Sequence, residues 1–149
     1  MRLEKGYSSL RRGRIYDLGG TYHLVFSTEN NVPYFQDFLS ARQVIKALSY
    51  SDEQGWSSTI AFVVMPDHVH WLAQSVSKTP DKLVSSIKRH VSKNSIPKVF
   101  WNRGYYDSFI RDERQLLHIA RYIIANPKRA FLVTEVGMYP HWDCIYINP

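Results

Sequence analysis

One cysteine, Cys144, stands in the whole chain. An intrachain disulfide is therefore excluded, and so is a metal site built from several thiolates; a reducing, cytoplasmic setting is the expectation. No apolar run approaches the roughly 20 residues that cross a bilayer as a helix. The basic start is not followed by an apolar stretch, so no secretory signal is expected. Internal repeats and low-complexity linkers are missing as well. Acidic side chains are the scarcer charge: 13 Asp and Glu stand against 19 Lys and Arg. What remains is one globular domain over residues 1–149, with 44% apolar and 21% charged residues, long enough for a real core.

The basic surplus is uneven. Residues 1–20 carry five basic and two acidic side chains, and residues 80–129 carry eleven and four, so the remainder is net acidic. Charge gathered in two segments points to a polyanion partner; solvated helix faces are the plainer reading. Aromatic residues are plentiful, and Phe100, Trp101, Tyr105 and Tyr106 lie among the cations. Rings interleaved with cations suit single-stranded nucleic acid, on whose bases they stack, and they equally suit a core.

Residues 1–19 read as a basic arm containing Arg11, Arg12 and Arg14. Thr21 to Thr28 is β-branched and aromatic between Gly19-Gly20 and Asn30-Asn31, which predicts a strand. Phe38 to Gln54 has helical periodicity and stops at Gly55. Trp56 to Met65 and His68 to Val76 flank Pro66-Asp67 and predict an antiparallel hairpin. Thr79-Pro80 opens a second helix to about Asn94, with Thr79 as N-cap and Pro80 at the first helical position; it carries Lys82, Lys88, Arg89 and Lys93. Tyr106 to Ile110 is a candidate fourth strand. Asp112, with Gln115 three residues on, signals a third helix to Ala125, which Asn126-Pro127 should end. A short helix is expected to restart at Lys128 to Val133, and residues 141–149 read as an irregular tail. The order is that of an α+β, ferredoxin-like βαββαβ antiparallel sheet with one additional C-terminal helix.

Two local patterns carry possible chemistry. In a strand, residues i and i+2 share a face, so His68 and His70 stand side by side while Val69 and Trp71 turn inward. Such a pair fits a metal ion, and it also fits two unremarkable strand histidines. On the third helix, at about 100° per residue, Leu116, Ile119, Ala120 and Ile123 form an apolar stripe. Gln115, His118, Tyr122 and Asn126 lie to one side of it, with Tyr122 and Asn126 one turn apart. Helical geometry alone leaves Tyr122 as half-buried packing and Asn126 as a cap.

The segments HVH, WNRGYYDSFIRDE and ARYIIANPKRA, with the arm RRGRIYDLGGTYH, resemble the REP-associated tyrosine transposases, relatives of the single-tyrosine insertion-sequence transposases among the HUH endonucleases. The resemblance covers nearly the whole chain; MPDHVHWL together with YIIANP is its specific part. It implies that His68-Val69-His70 is the HUH motif, that Tyr122 is the nucleophile, and that Asn126 completes the metal site. It implies Mg²⁺ or Mn²⁺ as cofactor, and imidazole suits Mn²⁺ better than Mg²⁺; Zn²⁺ also takes imidazole. The short tail after Pro140 departs from the family and leaves few residues for additional DNA contacts.

The implied activity is metal-dependent nicking and rejoining of single-stranded or hairpin DNA through a 5′-phosphotyrosine intermediate. Arg11, Arg12, Arg14, Lys88, Arg89 and Lys93 are the expected DNA-binding residues. Insertion-sequence relatives work as dimers with exchanged tyrosine helices; the REP-associated branch implies a monomer. Asp67 is either a group that supports the metal ligands from outside or only the turn residue, and the turn is favoured. His118, one turn from Tyr122, could orient or deprotonate it but reads better as a surface histidine; His23 reads as strand packing. A non-cleaving DNA- or RNA-binding protein on the same fold is the alternative, and a small metal-dependent hydrolase is a third.

Overall fold

The computed structural model describes residues 18–145. Five strands form one antiparallel sheet: β1 (Thr21–Ser27), β2 (Ser57–Val64), β3 (His68–Ser75), β4 (Tyr106–Phe109) and β5 (Trp142–Cys144), in the spatial order β4-β1-β3-β2-β5. Without β5, this is the predicted ferredoxin-like arrangement. Among the described residues, the α-helices are α1 (Phe38–Glu53), α2 (Pro80–Asn94) and α3 (Glu113–Arg129).

Strand alternation divides the interior into two cores. Leu24 and Phe26 of β1, with Val69 and Trp71 of β3, face α1 and α2, where Val44, Leu48, Leu83 and Ile87 complete the larger core. Ala61 and Val63 of β2, with Leu72 of β3, face α3 and pack on Ala120 and Ile123. The register of β2 shifts between Thr59 and Ala61, a bulge that keeps Ala61 and Val63 on the α3 side. Asp37 caps α1 by accepting the backbone N–H of Ser40. Asp112 does the same for Gln115 at the start of α3, while Gln115 Oε1 accepts from Arg111 N–H. Thr79 occupies the N-cap of α2, with Pro80 following, but its side chain makes no capping hydrogen bond.

Two expectations need correction. The third helix does not end at Asn126: α3 continues through Pro127 to Arg129, leaving no separate helix at Lys128. Proline removes only its own N–H from the ladder, and the next turn is still bonded, with Ala130 N–H donating to Asn126 C=O at 2.9 Å. Pro127 is itself buried, so packing retains the conformation that local preference disfavours. The tail is not irregular where it is described. Residues Trp142–Cys144 are β5, paired with Ala61–Val63 of β2. Tyr139 anchors its approach by donating from its hydroxyl to Val64 C=O, and Trp142 Nε1 donates to Val136 C=O. A three-residue strand shows no alternation to read. The arm, apart from Leu18 and Gly19, lies outside the described residues.

Candidate active site

Helix α3 packs against β2, β3 and β5. The same sheet face carries His68 and His70 of β3 and His23 of β1. Val25 pairs with His70 and Ser27 with His68, so β1 places its odd-numbered residues on this face. The rings of His68 and His70 are 5.1 Å apart, centroid to centroid. His70 is almost wholly buried, at 1% exposure, and His23 is at 4%. His68 lies nearer the surface.

Each imidazole of the pair has its Nδ1 engaged. His68 Nδ1 is 2.7 Å from Asp67 Oδ1. The hydrogen bond to His68 holds the Asp67 carboxyl below its usual range. An ionised carboxylate only accepts, so the proton lies on His68 Nδ1 and its Nε2 points elsewhere. His70 Nδ1 is 2.9 Å from His23 Nε2, and the two rings meet edge to edge, 18° from coplanar, with centroids 5.2 Å apart. Burial favours the neutral form of both: His23 is lowered to about 4 and His70 to about 2.

Tyr122, on the polar side of α3, sets its ring edge-on to His70 at 5.9 Å and to His23 at 6.4 Å. Asn126 is one turn further on, and its Nδ2 donates to Tyr122 C=O at 3.0 Å, which leaves Oδ1 unconstrained by that bond. The Arg129 guanidinium carbon lies 5.1 Å from the centre of the Tyr122 ring. The ring of Tyr106, on β4, approaches His23 from another side at 5.9 Å.

Residues 18–126 match the family described as transposase IS200 like. The chain belongs to the IS200-like transposases. Its fold is shared with a REP-associated tyrosine transposase solved bound to a REP hairpin: TM-score 0.75, 20% identity, covering 87% of this chain and 79% of that one. It is also similar to a transposase-like protein from Deinococcus radiodurans R1, with TM-score 0.51 and 22% identity over 83% of this chain and 95% of that one. No curated protein matches it.

Within this IS200-like transposase, the structure brings His68, His70 and Tyr122 together, with Asn126 on the same helix as the tyrosine. Among the described residues, no three His, Cys, Asp or Glu side chains group as a metal site. Imidazole nitrogen and an amide oxygen are donor types that a divalent ion accepts, and the Asn126 amide nitrogen and the His68 Nδ1 are already engaged elsewhere. Arg89 and Lys93 are exposed on α2. Lys88 departs from the DNA-binding expectation: its ammonium donates to Asn102 C=O at 3.0 Å and Gly104 C=O at 2.7 Å, inside the protein. Arg11, Arg12 and Arg14 lie outside the described residues.

Sequence reasoning ranked three residues below their place in the structure. Asp67, favoured as a turn residue, does lie in the bend between β2 and β3, which Met65 N–H closes by donating to His68 C=O, and its carboxylate also holds His68. His23, taken for packing, is bonded to His70. Tyr106 was read only as a ring among cations and as the start of a strand. His23 shares strand parity with Ser27, but only the β1–β3 register reveals that this parity faces the HxH pair. His118 is exposed, as a surface histidine should be.

Proposed function

We propose that this chain nicks and rejoins single-stranded DNA at hairpin or palindromic sites, as a REP-associated type of single-tyrosine transposase. The observation that carries the reading is the seat of Tyr122: its ring stands edge-on to His70, on the sheet face that also holds His68. The solved relative bound to a REP hairpin supports a hairpin as the substrate.

In this reading the Tyr122 phenolate oxygen attacks phosphorus. The bond from phosphorus to the 3′ oxygen breaks, and that oxygen leaves as a 3′-hydroxyl after taking a proton. The DNA 5′-phosphate stays on tyrosine. Attack by another 3′-hydroxyl reverses the step, so no high-energy cofactor is consumed. A phenol is a poor nucleophile until its proton is removed or its anion stabilised. Arg129, whose guanidinium lies 5.1 Å from the centre of the Tyr122 ring, adds positive charge to the surroundings of that anion. His68, His70 and Asn126 would hold Mg²⁺ or Mn²⁺, which supplies charge stabilisation and orientation for the phosphate. Asp67 keeps the His68 ring oriented. Arg89 and Lys93, with Arg11, Arg12 and Arg14 of the arm, contact DNA phosphates in this reading.

The test is covalent capture. Wild-type protein with Mn²⁺ and a hairpin oligonucleotide should give a denaturation-resistant protein–DNA adduct. Chelator should abolish it. Tyr122→Phe, which removes one hydroxyl and keeps the ring, should abolish it while leaving hairpin affinity within about threefold, because no phosphate contact is removed. An adduct formed by the Phe variant would remove Tyr122 from the role of nucleophile. Hairpin binding by the wild type with no adduct under any metal would favour a non-cleaving DNA-binding protein.

A further inference from the structure

His23 is a polar side chain placed where the sheet face needs none for packing. Its neighbours on that face include Val25 and Leu72, both buried and apolar. It is nonetheless 4% exposed, with its ring edge to edge with that of His70 and 18° from coplanar, and with Tyr106 and Tyr122 set at steep angles to it. Three rings therefore define its plane, and the plane aims Nε2 at His70 Nδ1, 2.9 Å away.

Two ring nitrogens at that distance share one hydrogen-bonding proton. If the proton lies on His23 Nε2, His70 accepts with Nδ1, and a neutral His70 then carries its own proton on Nε2 and cannot ligate there. If it lies on His70 Nδ1, His70 donates to His23, and Nε2 of His70 presents a lone pair. Only the second arrangement matches His68, whose Nδ1–H is directed to Asp67. Hydrogen bonding at one ring nitrogen thus decides what the other can do.

We propose that His23 is a positioning residue: its Nε2 accepts the Nδ1–H of His70, fixing the tautomer in which His70 Nε2 serves as a ligand. Asp67 performs this task for His68 with a carboxylate; His23 performs it for the deeper histidine with a neutral acceptor. The difference follows from depth. Asp67 lies at the surface, its side chain 34% exposed, where an ionised group remains hydrated. An uncompensated carboxylate beside His70, at 1% exposure, would be costly to bury. The proposal rests on the metal-binding reading of His68 and His70, and its test separates the two.

The tautomer is read by ¹⁵N NMR of histidine-labelled, metal-free wild-type protein at neutral pH. His70 should show a protonated Nδ1 and a bare Nε2, with His23 unprotonated at Nε2. This measurement needs no variant and no metal. A His70 protonated at Nε2 overturns the proposal. The second arm is binding of Mn²⁺ alone, followed by electron paramagnetic resonance. His23→Phe keeps an aromatic ring but cannot accept, and should weaken Mn²⁺ binding about tenfold or more. His23→Gln retains an acceptor in its amide oxygen and should recover most of that loss. A merely structural His23 predicts no such recovery, so equal affinities in the Phe and Gln variants count against the proposal. If wild-type protein binds no Mn²⁺, the metal reading fails, and the NMR tautomer still decides the role of His23.

Discussion

Two buried imidazoles give the site a stability that depends on pH. In the fold, burial depresses His23 to about 4 and His70 to about 2; in the unfolded chain each titrates near 6.5. The unfolded state therefore binds more protons below 6.5, so stability is fully present above that value and falls as pH drops. For His23 the loss is complete near its folded value of about 4. From pH 7 to pH 5, each such histidine costs roughly 2 kcal/mol at most. His23→Gln removes one titrating group and retains an acceptor. In urea unfolding with chelator present, it should reduce the loss between pH 7 and 5 by up to about 2 kcal/mol. An identical loss in wild type and variant would mean that His23 becomes protonated as easily in the fold as outside it. Asp67 acts in a separate, lower window: its folded value is depressed, so its contribution is present above the usual carboxylate range and lost on further acidification.

Among the secondary-structure elements, α2 shows how a basic helix divides its charges between structure and surface. Lys88 is half-buried and ties the 102–104 loop through the carbonyls of Asn102 and Gly104. Arg89, next in sequence, points outward. Lys88→Met keeps most of the aliphatic stem and removes both hydrogen bonds. It should destabilise the protein by about 2 kcal/mol, the scale of hydrogen bonds to a charged group. Hairpin affinity plotted against salt should keep its slope. Arg89→Ala and Lys93→Ala should do the opposite, each lowering the slope by about 0.7 if it contacts a single-strand phosphate. A flattened slope in Lys88→Met at unchanged stability would return Lys88 to the DNA surface. The basic count was legible from sequence, but its division was not, because it depends on where the 102–104 loop lies. The same limit explains other differences. The alternation in TYHLVFST and the periodicity of LLHIARYI are local, so strands β1 to β3 and helix α3 could be read directly. Whether α3 passes through Pro127 depends on tertiary burial, and β5 exists only because β2 has an edge for residues 142–144 to pair with. His68, His70 and Tyr122 were legible as motifs. His23 was hidden by strand register, and the contact of the Asp67 carboxylate with His68 by its more obvious place in a turn.

At the scale of the whole molecule, the question is whether one chain contains a complete site. Exchanged tyrosine helices place the tyrosine of one subunit against the histidines of another. Here α3 packs Ala120 and Ile123 onto Ala61, Val63 and Leu72 of its own sheet, while Tyr122 reaches the ring of its own His70. The segment after α3 returns to the same sheet as β5, paired with β2. Moving α3 to a second subunit would strip those apolar residues of their cover, unless an equivalent helix arrived in return, and would strain the link to β5. A site complete in one chain makes a definite prediction for mixtures. Tyr122→Phe retains the histidines and lacks the nucleophile; His70→Ala retains the nucleophile and lacks a ligand. Each should be inactive alone in adduct formation on a hairpin. Mixed in equal amounts at concentrations well above those used for the wild type, they should remain inactive, because neither chain can supply what the other lacks. Wild-type activity per chain should stay constant on dilution. Recovery of adduct in the mixture, carried on the His70→Ala chain, would show that the tyrosine helix works across a dimer and that packing within one chain is only its resting position.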